Sequence, residues 1–353
     1  MFFLEIFTNY ILPMIYSSLV SLVLVLFILF IFRIKDSNIR ILFFFMPLIK
    51  PFIIIAEKID INTQYFKSND YSAGLRLPDP NNIIRIIKNF ERGPSILSNM
   101  NYLILLLIII GIITILIIRW IILYLFYRDL AYEDKVGRKE APDIYNIIDS
   151  YIKKIKIKTP DISLTYKNYL SPFVIGIKRP TLVLSPNLLE KLSTNEKETL
   201  IQHELSHIKR KDNLIGWVAL VLRDFLFFNP FAYIAYHLIK TEQERDSDKL
   251  VVKYSDKPKK EVAINILNTI LKIRSISTSK PIPQTAQSFQ NTPLSLFNQM
   301  RLKNRINSIL KTTTPKIYSR ILPKILMYVF FLTLLVFQLM FVIKINNFYI
   351  FLR

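Results

Sequence analysis

Apolar positions along the chain gather into long uninterrupted blocks near both ends, with short periodic runs between them. Residues 10–32 and 102–126 each exceed the ~20 apolar residues needed to cross a bilayer, and Arg119 is their single charge. Residues 321–345 form a third such block, bounded by lysines. Residues 41–56 are shorter and interrupted by Lys50-Pro51, so they read as a fourth span or as an interfacial segment. The first block is too long for a signal-peptide core and no small-residue cleavage site follows it, which makes it a retained anchor.

Between the apolar blocks the periods change. Residues 141–157 alternate apolar and basic positions and predict a helix or helix pair. Residues 161–166 and 181–184 predict short strands, the second closed by Ser185-Pro186. Ser193-Thr194-Asn195-Glu196 is a capping box that opens a helix with a long polar run from Glu196 to Asn213, which argues for a water-accessible domain. Apolar residues follow from Leu214 to Phe228, with Arg223-Asp224 inside. Asn229-Pro230 then supplies an N-cap and first-turn proline for a helix reaching Val251-Val252.

Composition places the protein in a membrane. Of 353 residues, 52% are hydrophobic and the mean hydropathy is +0.33, too apolar for an ordinary soluble enzyme. The net charge of +21 does not point to direct nucleic-acid binding. Lysines and arginines are densest from Arg128 to Lys324, with a further group at Arg33, Lys35 and Arg40, as expected of segments facing an anionic cytoplasmic leaflet. The short 33–40 loop carries the orientation, because long domains count for little in the charge rule.

The predicted architecture is a mainly α membrane protein of about four transmembrane helices, with a cytoplasmic α+β domain inserted before the last span. Its parts are two N-terminal segments (1–56), an extracytoplasmic loop (57–101), a span (102–127), the inserted domain (128–320), a last span (321–345) and a short tail (346–353). The absence of cysteine excludes disulfides and thiolate metal sites.

Candidate chemistry centres on His203-Glu204-Leu205-Ser206-His207, which holds two of the three histidines in the chain. Positions i and i+4 share a helix face, so both imidazoles reach one metal ion, while Glu204 is placed to take a proton from a water beside it. Zinc needs a third protein ligand, and the helix after Asn229 offers carboxylates. Glu244, Asp248 and Val251 continue one stripe, which favours Glu244 as ligand and Asp248 as acceptor for a histidine N–H. Glu242 and Asp246 read as a solvated face. Asp212 lies off the ligand face and reads as an ion-pair or capping residue, and His237 as a core or boundary histidine. One Zn2+ per chain is expected, which makes the cytoplasmic α+β domain (128–320) a zincin-like (gluzincin) metallopeptidase domain.

Several stretches together resemble the BlaR/MecR-type β-lactam-sensor membrane zinc metallopeptidases. They are Ser171-Pro172-Phe173-Val174-Ile175-Gly176, Arg179-Pro180-Thr181-Leu182-Val183-Leu184, the HExxH with Arg210 and Asp212, Phe228-Asn229-Pro230, and Glu244 with Asp248. The resemblance covers roughly residues 10–345. It implies zinc ligation by His203, His207 and Glu244, a catalytic base in Glu204, and cleavage of a DNA-binding repressor in transmembrane signalling. A penicillin-binding sensor domain is expected to be lacking, since Ser277-Thr278-Ser279-Lys280 has no Lys-Thr-Gly to accompany it and reads as a chance match. The alternatives are a protease of the quality-control or prenyl-peptide-processing type, and a catalytically idle signalling scaffold.

Expected partners are a cytoplasmic protein substrate, the lipid bilayer and a separate sensor protein. The strand Thr181, Leu182, Val183 and Leu184 either offers an open edge to which an extended substrate adds its backbone, or is a fully paired interior strand. The 57–101 loop, with an amphipathic segment at 81–90, reads as an entry for a regulatory signal or as a plain structural cap. The polar stretch 275–293, with Ser288-Phe289 at its middle, reads as an ordinary uncut linker, with self-cleavage at its middle as the alternative.

Overall fold

The computed structural model describes residues 6–58, 96–133, 135–165, 172–275, 295–311, 326 and 328–334. The segments at 81–90, 277–280 and 288–289, and most of the 321–345 block, lie outside the described residues.

A π-helical turn at Phe7–Ile11 leads into α1 (Leu12–Ile31), which ends where Arg33 adopts a left-handed φ of 45°. Asp36 caps α2 (Ser37–Phe44) by accepting the Asn38 N–H at 3.0 Å. After a break at Phe45, α3 (Met46–Lys58) continues, and Pro51 lies inside it without ending it. The interrupted block at 41–56 is thus helical through its Lys50-Pro51. The 38-residue α4 (Ile96–Glu133) would extend about 57 Å at 1.5 Å per residue, well beyond a bilayer's hydrocarbon core. Among the described residues, three stretches are long and apolar enough to cross a membrane: Leu12–Ile31, Ser37–Ile54 and Ile109–Phe126.

The middle of the chain is α+β. Helix α5 (Pro142–Ile155) starts on a first-turn proline and ends at left-handed Lys156. It is followed by β1 (Asp161–Leu164), β2 (Phe173–Ile175), β3 (Thr181–Leu184) and a short α6 (Pro186–Leu189). The sheet order is β1-β3-β2, with β3 parallel to β1 and antiparallel to β2. This corrects the open-edge reading of Thr181–Leu184, which is the central strand with both edges paired and all four residues buried. Its unbroken Thr-Leu-Val-Leu run, without polar alternation, is what a strand covered on both faces requires. The strand that sequence patterning missed is β2, only three residues long. Gly176 makes the turn out of β2 possible, since its φ is +85° and a Cβ there would meet the Arg179 carbonyl at 2.4 Å.

Then come α7 (Thr194–Arg210), α8 (Asp212–Phe225), α9 (Pro230–Tyr254), α10 (Lys259–Ser275) and α11 (Ser295–Leu310). One apolar core joins the sheet, α5 and α7 through Ile148, Tyr151, Leu182, Leu184, Ile201 and Leu205. A second core joins α1–α3 to α8 and α9, with Val25, Ile28, Phe44 and Leu48 against Leu220, Ala232, Ala235 and Ile239. Helical residues 328–334 add Phe331, edge-on to Phe43 at 5.3 Å between ring centroids.

Candidate metal centre

Helix α7 is fixed at its start by the expected capping box. The Ser193 hydroxyl accepts the Glu196 N–H at 3.3 Å, and the Glu196 carboxylate accepts the Ser193 N–H at 2.8 Å. Its polar run does not mark a solvated helix. Gln202, His203, Glu204, Ser206 and His207 are all buried, because neighbouring elements supply polar partners. The Ser206 hydroxyl, for one, donates to the Gln202 carbonyl at 2.8 Å and lies 3.0 Å from the Tyr151 hydroxyl.

One helical turn brings the two imidazoles together, Nε2 to Nε2 at 3.1 Å, with ring planes at 86°. The α9 helix adds Glu244, whose carboxylate oxygens lie 3.5 Å from His203 Nε2 and 3.6 Å from His207 Nε2. One donor atom from each of the three falls within 4.8 Å of the others. Zinc bonds of ~2.0–2.1 Å at tetrahedral angles place ligand atoms about 3.3–3.4 Å apart, so the donor set fits such an ion in type and spacing.

The far nitrogens are held by carboxylates. His203 Nδ1 lies 3.1 Å from Asp248 Oδ1, and His207 Nδ1 lies 2.7 Å from Asp212 Oδ2. An N–H held at each Nδ1 turns the two Nε2 atoms toward one another, so a cation bound there would take the place of the proton that the neighbouring carboxylates favour on His203. Asp212 therefore does more than pair with Arg210 (3.1 Å), which corrects the view that it lies off the ligand face. The face-counting assumed one continuous helix. Lys211 adopts φ 57°, ends α7, and restarts the chain as α8 with Asp212 turned back to His207.

Glu242 is a second correction. It is buried, not solvated, and its carboxylate binds Arg40 of α2 at 2.6 Å and Arg245 at 2.8 Å. Asp246 pairs with Arg210 and with Lys249. His237 is partly buried and outside the three-residue cluster.

Sequence reasoning passed over Arg305. From α11 it donates to both oxygens of Asp248, at 2.7 and 2.8 Å, and approaches Glu244 Oε2 at 3.3 Å. It is one of 47 basic residues and follows Asp248 by 57 positions, so no local pattern distinguishes it.

The charges are strongly coupled. Burial opposes a charged His203, but Asp248 and Glu244 outweigh it and raise its pKa to about 10. Burial also opposes ionised Glu244, Asp248 and Asp212, yet the surrounding histidines and arginines hold all three below the usual carboxylate range. Glu204 differs. Burial dominates, and its pKa rises to about 7. Its Oε1 is buried without a hydrogen bond to any described residue.

A family model described as "BlaR1 peptidase M56" matches residues 14–309. The chain is similar to the methicillin resistance mecR1 protein of Staphylococcus aureus, 27% identical over 161 residues, covering 44% of this chain and 26% of that protein. It is similar to the regulatory protein BlaR1 of Bacillus licheniformis, 32% identical over 122 residues, covering 35% of this chain and 20% of that protein. A protease HtpX homolog of Bacteroides fragilis is 29% identical over 126 residues, covering 34% of this chain and 38% of that protein. The matched segment thus spans well under half of each relative's length.

Proposed function

The chain belongs to the M56 family of BlaR1-type peptidases, and from that premise we propose that it is a multi-pass zinc endopeptidase whose catalytic domain faces the cytoplasm. It cuts a cytoplasmic protein in regulatory proteolysis. The observation that supports this reading is the convergence of His203, His207 and Glu244 donor atoms within 4.8 Å. These three residues would hold one zinc ion per chain. When bound, zinc supplies Lewis acidity toward a peptide carbonyl.

The chain's own residues do the rest. Asp248 and Asp212 fix the imidazole tautomers, and Arg305 fixes Asp248 and the Glu244 carboxylate. Glu204 follows the first histidine on the same buried helix turn, where it is placed to take and return a proton. As water attacks the scissile carbon it gives a proton to Glu204. When the C–N bond breaks, Glu204 returns that proton to the departing amine. The buried, water-poor surroundings of Glu204 keep its basicity available for this exchange.

The similarity to mecR1 and BlaR1 supports a repressor-like substrate and a signalling role. The similarity to HtpX homologues favours a second reading, broad degradation of damaged membrane proteins. The test compares the proteins of cells carrying wild-type chain or Glu204→Gln. Accumulation of one regulator in the variant is expected, whereas accumulation of many membrane proteins establishes the second reading. Purified protein without stoichiometric zinc or peptide cleavage would reject both, in favour of an idle scaffold.

A further inference from the structure

The 26 residues from Leu214 to Ile239 contain two charged side chains, Arg223 and Asp224. They fold as the end of one helix, a tight turn and the start of the next: α8, then Leu226–Asn229, then the first turns of α9. We propose that this hairpin is inserted in the bilayer beside α1 and α3, with lipid acyl chains covering its outer face and the candidate metal centre held at the membrane surface.

The inner face packs on the apolar spans. Ala219, Leu220, Leu226, Ala232 and Ala235 share a core with Val25, Ile28 and Leu48. The turn reaches far along α1. Asn229 is buried and donates to the Ser18 hydroxyl at 2.8 Å, and Ser18 donates to the Pro47 carbonyl at 2.7 Å. Ser18 lies 13 residues from Ile31, about 20 Å along the helix. The 14-residue α8 covers about the same distance. Its start, near His207, therefore lies level with the α1–α2 connection, while its end lies deep among the spans. The Arg210–Asn38 contact, at 3.4 Å, ties that upper level to α2.

The two charges are neutralised internally, as an apolar solvent demands. Asp224 takes Arg223 at 2.6 Å, and also Arg119 and Trp120 of α4 at 2.6 and 3.1 Å. The Arg223 guanidinium lies over the Tyr236 ring at 4.5 Å. The outer face presents Leu214, Val218, Phe225, Phe227, Tyr233 and Ile234, each 41–48% exposed. Continuity with the spans argues for lipid as the occupant. Aromatic contacts from Phe225 reach Trp120 in one candidate span and Phe52 in another, at 5.4 and 6.3 Å. Polar residues return on both strands of the hairpin at one level, with Asp212-Asn213 at its entry and Lys240 beside Gly216 at its exit.

The chain has no cysteine, so a single introduced one carries a unique label. Full-length variants Leu214→Cys, Val218→Cys and Phe227→Cys would be labelled with a nitroxide in lipid nanodiscs. Phe27→Cys on α1 and Glu190→Cys, exposed just before α7 at the opposite end of that helix from Arg210, serve as lipid-facing and water-facing references. Oxygen, which concentrates in lipid, and a water-soluble nickel chelate report collision. The expected result is the lipid signature at Val218 and Phe227, deepest at Phe227, with Leu214 near the surface. Nickel accessibility at Val218 and Phe227 matching that at Glu190→Cys would overturn the proposal. Shielding from both reagents would also overturn it, because a second copy or another protein would then cover the face. Nickel accessibility at Phe27 as well would overturn the hairpin together with the membrane placement of α1, without touching the peptidase reading.

Discussion

Replacing Asp212 with asparagine tests how the second histidine is held. The Asp212 carboxylate accepts from His207 Nδ1 at 2.7 Å, in a buried setting where the Ser247 hydroxyl lies 3.1 Å from the same nitrogen. A hydrogen bond to a charged group contributes about 1.5–3 kcal/mol and a neutral one about 1 kcal/mol. The Asp212→Asn side chain keeps an acceptor oxygen but loses the charge, a loss of about 1–2 kcal/mol in imidazole orientation and basicity. At about 1.4 kcal/mol per tenfold, zinc affinity should fall roughly 5–30-fold. Asp212→Ala also removes the acceptor and should approach the ~100-fold end of such losses. Arg210 keeps Asp246 as a partner, so folding should be disturbed less than binding. The assay is competition for zinc against a chromogenic chelator on nanodisc-held protein, with thermal unfolding in parallel. If both variants bind zinc within about twofold of wild type while His207→Ala binds none, Asp212 does not orient the ligand and the reasoning fails.

Glu204→Gln should retain one zinc per chain while cleavage falls by about 10²–10⁴-fold, read by metal content against peptide turnover. Glu244→Gln should abolish tight zinc binding, whereas Glu242→Gln should keep it and instead lower stability by about 3 kcal/mol, since Arg40 and Arg245 lose a shared buried partner. Arg305→Lys should weaken zinc binding less than Arg305→Met, because a lysine restores the charge beside Asp248 but not the two-pronged contact. Burial, then neighbouring Arg245, lowers the Lys249 pKa from 10.5 to about 8. The unfolded chain therefore binds more protons than the folded one between those values, and stability should rise with pH across that window. Lys249→Met should abolish that rise in a series of thermal midpoints.

What was legible in the sequence was what depends on a single helix. The capping box and the Asn229-Pro230 start are local, and the structure forms both where the pattern puts them. Glu244 and Asp248 sit one turn apart on α9, so their shared face followed from spacing. Counting failed where the helix was not one helix. The left-handed Lys211 turned Asp212 back to His207, and lysine has no intrinsic signature for that conformation. The strand Thr181–Leu184 was undecided for a related reason. A three-residue β2 is too short to show a period, so spacing alone could not choose between an open edge and the fully paired strand that forms.

Polar character misled in a different way, because polarity along the chain reports how many partners a segment needs, not whether water supplies them. Helix α7 is polar along most of its length, yet its histidines face carboxylates from α8 and α9, and Arg305 arrives from α11. Glu242 looked solvated, yet its partner Arg40 lies 202 residues earlier, in the first turn of α2. These contacts share a direction. Glu242 and Asp246, which flank Glu244 in sequence on α9, bind Arg40 and Arg210, and Arg210 also reaches Asn38. The helix that supplies Glu244 is thereby fastened to α2 through Arg40, and the helix that supplies both histidines is fastened to it through Arg210, so a displacement of α2 would reach all three ligand candidates.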